Sequence, residues 1–347
     1  SPHGHLHSSA IQIAKAATKQ FIRDIKDRVT IRQFKALLGI GPSFGVAIDS
    51  TASMDEEIAG VRAQIAQMVN SRLNTDEEPI LYYLSVFNDN TTGPLTATTD
   101  YNIFLSALNS FGRTGNSECP EAAMKGVLQA VKIMDGGSNL YVFTDATAND
   151  GYMAAQAEII AKKNDIKVTH LLSGSCSPID PKYVRLSQST GGQVIVIPSS
   201  NVSDAARIIG LSAKSNSVDI LSIASSLSQN GSQAFSIPVD TTMRTLLVSV
   251  SGITNTTGAS ITSVTVRKPN GEIVQNGLSG ASVTTLSNGG FFSIDAPPVG
   301  EWTVIVGGTG EFELKAYSNS TIAFSELQFV KQRGIPGHQG YGDINTL

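Results

Sequence analysis

Three short stretches of this chain gather carboxylates and hydroxyls, with no thiol or imidazole in the ligating positions. The first is Asp49-Ser-Thr51-Ala-Ser53, where one acid and two hydroxyls alternate. The second is Thr144-Asp145-Ala-Thr147, and the third is Arg113-Thr114-Gly-Asn-Ser117-Glu118. Hard dications such as Mg²⁺, Mn²⁺ or Ca²⁺ take oxygen ligands of this kind, and Mg²⁺ keeps several waters in an octahedral shell. Alternation along a turn can bring Asp49, Thr51 and Ser53 to one side. Hydroxyl ligands add no charge, so a bound ion keeps its pull on one further oxygen from outside, ideally a carboxylate. The expected metal ligands are Asp49, Thr51, Ser53, Glu118 and Asp145, with Thr114, Ser117 and Thr147 beside them. Plainer roles compete. Ser53 could cap a helix whose first turn holds Asp55 and Glu56. Asp145 could be a turn residue, and Glu118 a solvated acid in a first helical turn.

Such loops need a scaffold that brings them to one place. Phe44–Asp49 is a short apolar run, as expected of a buried parallel strand. Ile58, Val61, Ile65 and Met68-Val69 line one face of a predicted helix over residues 54–72. Strands are expected at Ile80–Phe87, Leu95–Thr98, Asn139–Phe143, Lys167–Leu172 and Gln193–Ile197. Helices are expected over 101–110, 119–134 (with Pro120 in its first turn), 152–164, 181–188 and 201–214. This alternation predicts an α/β fold, a doubly wound and mainly parallel sheet, in which ligands sit at the carboxyl ends of the strands. All three candidate loops fall at those ends or just before the helix that follows.

The flanks differ. Residues 8–38 read as a helical lead-in carrying Ile11, Ile13, Ala14, Ala17, Phe21, Ile22 and Ile25, closed by Gly39 and Gly41-Pro42. After residue 216, Ser, Thr, Gly and Val dominate, and near period-two alternation appears at Ala234–Val239, Thr245–Val250, Ser263–Arg267, Phe291–Ile294, Trp302–Val306 and Phe312–Ala316. Short strands separated by turns such as Pro269-Asn-Gly271 predict an all-β sandwich, Ig-like in type, with Trp302 in its core. The expected division is a lead-in at 1–42, the α/β domain at 43–215, the sandwich at 216–332 and a flexible tail at 333–347.

Composition narrows the function. The chain has 347 residues, which makes two domains the default. A net charge of −4 without a basic run argues against binding nucleic acid through its phosphates. No stretch approaches the ~20 apolar residues that span a bilayer. The sequence starts Ser1-Pro2-His3 without Met, and an upstream segment is expected. The two cysteines, Cys119 and Cys176, are one disulfide or two buried thiols. Asn-x-Ser/Thr triplets stand at Asn90, Asn201, Asn230, Asn255 and Asn319, candidates for glycosylation in a secreted chain. His3, His5 and His7 alternate in a polar terminus, and His170 reads as a core histidine.

Asp49-x-Thr51-x-Ser53 after a strand and before a helix resembles the metal-ion-dependent adhesion site of von Willebrand A domains. Val142-Phe-Thr-Asp145 resembles the strand-terminal aspartate of the same site. FGVAIDSTASM at Phe44–Met54, Glu118-Cys-Pro-Glu-Ala, Phe143-Thr-Asp-Ala, Leu172-Ser-Gly-Ser-Cys176 and Pro298-Val-Gly-Glu-Trp-Thr-Val304 are similar to the extracellular branch of that family that includes hemicentins and the protein 7 type. The resemblance covers nearly the whole chain. It implies a disulfide between Cys119 and Cys176, a divalent cation and a secreted location. One departure stands out: integrin-like members ligate through a Thr in the second loop, where this chain has Glu118. A third carboxylate would hold an ion more tightly and weaken its pull on a partner's acid.

The expectation is therefore an adhesion or matrix module that binds a protein partner through its cation. The alternative is a structural protein that self-associates into matrix or filaments, with the metal bracing the fold. No Gly-x-Ser-x-Gly elbow, zinc-protease helix or phosphate loop is present, so catalysis is not expected.

Overall fold

The computed structural model describes residues 4–29, 34, 43–73, 75, 78–115, 119–173, 179–197, 217–253, 260–278, 280–319, 330–335 and 338–343. The helix expected over 201–214, and His3, Ser117, Glu118, Cys176, Asn201 and Asn255, lie outside them. Helix α1 (Gly4–Lys26) forms where the lead-in predicts one, but Ile11, Ile13 and Phe21 are exposed on it.

The first sheet has six strands: β1 (Ser43–Asp49), β2 (Leu81–Phe87), β3 (Thr96–Thr98), β4 (Asn139–Thr144), β5 (Lys167–Leu172) and β6 (Val194–Val196), in the order β3-β2-β1-β4-β5-β6. All neighbours are parallel except β3, which pairs antiparallel on the edge of β2. Strand β1 lies at the centre and is buried along its whole length. It can be so because its residues alternate between two apolar layers. Phe44, Val46 and Ile48 meet Ile58, Val61 and Ile65 of α2 (Asp55–Arg72) and Phe104 and Leu108 of α3 (Tyr101–Ser110). Ala47 meets the opposite layer, built on α4 (Ala123–Val131), α5 (Ala154–Lys163) and α6 (Pro181–Ser189). Helix α4 presses closely on β2: a Cβ at Gly126 would fall 2.4 Å from the Phe87 ring, the last residue of that strand.

Boundaries moved in one place that matters. The helix expected from residue 119 starts at Ala123, so Pro120 and Glu121 precede it. Nor is Ser53 a helix cap: it lies in a single 3₁₀ turn, Ala52–Met54, and α2 begins after Met54 with no side-chain cap.

The second region is antiparallel throughout. Its strands are β7 (Ser217–Val239), β8 (Thr245–Gly252), β9 (Ser260–Arg267), β10 (Ala281–Leu286), β11 (Gly289–Asp295) and β12 (Gly300–Asn319), in the order β10-β11-β8-β12-β7, with β9 also on β12. The segments Trp302–Val306 and Phe312–Ala316 are thus one long strand. Near Gly308–Gly310 its register with β7 shifts. Before that point β12 carries β9 on one side, and after it β8. One sheet therefore supplies two packed layers, with Trp302, Val304, Phe312, Leu314, Val248 and Ile237 between them. Trp302 is fully buried, and its indole N–H donates to Pro298 O at 2.8 Å. Residues read as tail instead include a paired hairpin, β13 (Val330–Ile335) with β14 (His338–Asp343).

The two regions share an interface. Tyr317, Leu247 and Phe291 join the cluster of Tyr141, Leu171, Ile195 and Ile197. Glu313, itself buried, accepts the Val194 N–H at 3.0 Å, and Ser251 Oγ accepts the Val196 N–H at 3.4 Å. Lys315 donates to Gly191 O, and Lys167 bridges to Asp219 at 3.0 Å. The edge of β6 would otherwise present unpaired backbone groups. Removing the Glu313 carboxylate leaves a buried N–H without its acceptor, which costs about 1–3 kcal/mol. Glu313→Ala should lower unfolding stability in urea by that order, and Glu313→Gln, which keeps an acceptor, by less.

Candidate functional site

Strands β1, β2 and β4 end side by side, and the loops that leave them carry the candidate residues. Asp49 is the last residue of β1 and is fully buried. Its Oδ1 accepts the Thr51 N–H at 3.0 Å and the Thr51 hydroxyl at 2.7 Å; its Oδ2 accepts the Thr144 hydroxyl at 2.9 Å. The Thr51 hydroxyl also lies 3.1 Å from that of Ser53, which is exposed. The alternating acid and hydroxyls thus do share one side. Burial raises the Asp49 pKa to about 6, opposed by the bonds from Thr51 and Thr144 and helped by the charge of Asp145.

The acid facing Asp49 is one the sequence reading did not single out. Glu121 is buried, its Oε2 has no hydrogen-bond partner among the described residues, and its carboxyl group bonds to that of Asp89. Burial is the largest cause of its pKa of about 9, followed by the charges of Asp49, Asp89 and Asp145. Asp89 follows β2, and a Cβ on Gly115 would meet its Oδ2 at 2.4 Å and the Thr51 Cγ2 at 3.3 Å. Asp49, Asp89, Glu121 and Asp145 therefore crowd one end of the sheet, and the charges bearing on Asp49 and Glu121 are those of other carboxylates.

Backbone bonding fixes this crowding. Glu121 N donates to Thr147 O and Asn149 N to Glu121 O, each at 2.8 Å, so Glu121 is threaded against the loop after β4. Ala122 N donates to Asn88 O at 2.9 Å. The Asn149 amide donates to Pro120 O at 3.0 Å and to Asp89 O. Buried Asp150 accepts the Met124 N–H at 3.0 Å and the Lys125 N–H at 2.6 Å, meeting the open end of α4 from the neighbouring loop. Asp180 does the same for the loop itself, accepting Ala148 N at 3.1 Å while capping α6 at Lys182 N.

The remaining predicted residues take supporting positions. Thr114 Oγ1 lies 2.7 Å from Ser50 Oγ and accepts from Asn88 Nδ2 at 3.1 Å, while Ser50 donates to Phe87 O, so Thr114 ties the third loop to β1 and β2. Thr147 contributes its carbonyl to Glu121. Cys119 is disulfide-bonded. Asn90 and Asn230 are exposed, and Asn319 ends β12. His170 lies apart, fully buried, with Nδ1 2.8 Å from Ser187 Oγ and its ring stacked on Tyr183; burial pushes its pKa down to about 3.

The donor set suits a hard cation. Glu121 Oε2 is a buried oxygen that no described group meets, and Asp49 lies beside the hydroxyls of Thr51 and Ser53, which can ligate. Among the described residues, no three His, Cys, Asp or Glu side chains alone form a metal-holding group. Hydroxyls and waters would have to complete the shell, as Mg²⁺ tolerates. Asp150 carries a signal, standing shortly after Asp145, whereas Glu121 is found only once the start of the following helix at Ala123 is known.

Residues 43–199 match the family model described as von Willebrand factor A domain, and residues 220–321 match that described as hemicentin galactose-binding domain-like. Human von Willebrand factor A domain-containing protein 7 is 29% identical over 225 residues, 60% of this chain and 25% of that protein. Mouse hemicentin-1 is 24% identical over 313 residues, 86% of this chain and 5% of its own length. The chain thus spans a quarter or less of these relatives. Among solved structures, a von Willebrand factor type A protein from Catenulispora acidiphila is 12% identical with a TM-score of 0.40, covering 88% of this chain and 66% of that one. Proximal thread matrix protein 1 from the mussel byssus, with a zinc-occupied MIDAS motif, is 10% identical with a TM-score of 0.39, covering 54% and 50%.

The raised acid groups set a pH dependence. Between its ordinary value near 4.5 and about 9, the folded chain holds a proton on Glu121 that the unfolded chain has lost. The stability this contributes is complete below the lower value and fades as pH rises through the upper one. With chelator present, stability should therefore fall from neutral pH toward pH 9. Glu121→Gln should flatten that fall in urea titrations at successive pH values.

Proposed function

We propose, for a chain whose residues 43–199 are a von Willebrand factor A domain and whose residues 220–321 belong to the hemicentin galactose-binding domain-like family, that the carboxyl end of the first sheet binds a divalent cation and through it an acidic group of an extracellular protein partner. The observation that carries this reading is a pair of buried acids: Asp49, whose charge bears on Glu121, and Glu121, whose Oε2 meets no hydrogen-bond partner among the described residues. Carboxylates in such a position must take up protons or a cation, since burying unmatched charge is expensive. Asp49, Thr51, Ser53, Glu121 and Asp145 would hold the ion, with Asp89 beside Glu121, and Glu118 a further candidate. When bound, the cation supplies a positive centre that one outside carboxylate oxygen can complete. The protein's part is to hold the oxygens in place through Thr144, Thr147 and Asp150. Cys176 is read as the partner of Cys119, and the hemicentin resemblance supports a secreted location.

A second reading, in which the cation braces a self-associating structural protein, has its own support. Asp49 already bonds on both oxygens within the chain. Strand β7 is 23 residues long and lies at the end of its sheet, where no described strand pairs with its outer edge. Removing metal separates the two: adhesion loses the partner, bracing loses only stability.

The test is thermal unfolding with Mg²⁺, Mn²⁺ and Ca²⁺ singly. A cation at ~100 times its Kd should add about 2.7 kcal/mol to the parent. Asp49→Ala should show no response, and Glu121→Gln a weaker affinity, on the order of tenfold or more. No response from the parent to any of the three would sink the metal site.

A further inference from the structure

We propose that Asn90 accepts an N-linked glycan that shields one side of the metal-binding face, leaving partners to approach from the other. The proposal rests on the reading of that face given above. Asn90-Thr91-Thr92 is an acceptor triplet. It sits in the connection from β2 toward β3, and the geometry there makes Asn90 the tip. Phe87 and Thr92 pair antiparallel, and Asn88 N donates to Thr91 O at 3.0 Å. Asn88 Oδ1 accepts the N–H groups of Asn90 and Thr91 at 3.1 and 2.9 Å. The loop's polar groups are thus turned in on Asn88, while Asn90 and Thr91 are exposed.

This tip stands on the rim of the site. The residue before it, Asp89, bonds through its carboxyl group to Glu121 and through its carbonyl to Asn149. The carbonyl of Asn90 itself accepts the Lys125 ammonium at 2.8 Å, at the start of α4. Sugars on Asn90 would therefore lie over Lys125 and Asn149, next to Glu121. Thr114, which accepts from Asn88, lies on the loop's own side, whereas Ser53 bonds to Thr51 and, among the described bonds, to no residue of the loop, so the side at Ser53 would stay open. Asn230 is also exposed, but it lies at the bend of β7 in the second region. A glycan there is a control for passage through the glycosylating compartment rather than for the site.

The transfer needs a glycan donor of the lipid-pyrophosphate oligosaccharide class. The Asn90 amide nitrogen forms a bond to the anomeric carbon and gives up one proton. The bond from that carbon to the pyrophosphate oxygen breaks, and the lipid pyrophosphate leaves with its electron pair. The product is bulky and hydrophilic.

The full chain should be secreted from glycosylating eukaryotic cells behind a cleavable leader. Amidase release of glycans in heavy-oxygen water, then peptide mapping, should convert Asn90 to labelled Asp, and Asn90→Gln should lose that signal. Acetylation by a water-soluble amine reagent should be slower at Lys125 in the glycosylated protein than in Asn90→Gln, with exposed Lys132 equal in both. Unmodified Asn90 overturns the proposal whatever the state of Asn230, and equal labelling of Lys125 overturns the shield. Terbium titration of both forms reports on the metal reading alone. Failure to bind there sinks that reading, while the mass map still decides Asn90.

Discussion

A carboxylate at the end of a buried central strand must be met by something, and the first sheet is organised around how Asp49 is met. Burial disfavours its charge, and three hydrogen bonds from Thr51 and Thr144 offset part of that penalty. They do not offset all of it, since burial outweighs them and the charge of Asp145 adds to it, while the charge of Asp49 in turn bears on buried Glu121. A core of apolar strands would avoid both acids. Keeping them in the same small space makes sense where a cation supplies the missing charge, and the hydroxyls of Thr51 and Ser53 give an ion ligands without further negative charge.

The rest of the domain works to keep those acids from separating. Repulsion between them would be relieved by a small drift of the Glu121 segment, so that segment is tied at both ends. Its backbone is bonded to Thr147 and Asn149, the following residue to Asn88, and the helix after it to Asp150. Asp150 lies in the same loop as Asp145, and that loop is held in turn by Asp180. Acids that accept backbone N–H groups at helix starts thus position acids that face each other. This is a division of labour by hydrogen bonding: Asp150 and Asp180 accept backbone N–H groups, whereas Glu121 Oε2 meets no donor among the described residues.

Most of the scaffold could be read from the sequence because its cause is local. The strand runs Phe44–Ile48 and Leu140–Phe143 are apolar throughout, as strands covered on both faces must be. Asp49, Thr51 and Ser53 were legible because a strand end followed by alternating oxygens is a local pattern. Glu121 was not, because its role depends on where α4 begins. Counting the helix from residue 119 makes Glu121 a solvated first-turn acid; starting it at Ala123 frees the backbone of Glu121 to bond across to the β4 loop. A shift of a few residues at a helix start is within ordinary boundary error, yet it moves an acid from solvent to the centre of the site. In the second region the alternation was plain, but two expected strands proved to be one. A strand that changes neighbours midway keeps its alternation through the shift, so period-two patterning alone cannot show that Trp302–Val306 and Phe312–Ala316 are continuous.

The two regions also divide the surface of the first sheet between them. The hydrogen bonds described from the second region fall on β6, on Gly191 before it and on Lys167 at the start of β5. That choice meets a need of the sheet, since β6 is short and ends it, and an uncovered edge is an invitation to unwanted pairing. It also means that the covering domain makes those bonds away from the loops after β1, β2 and β4. Docked on the edge, the domain places its described hydrogen bonds on β6, Gly191 and Lys167, and none of them reaches Asp49 or Glu121.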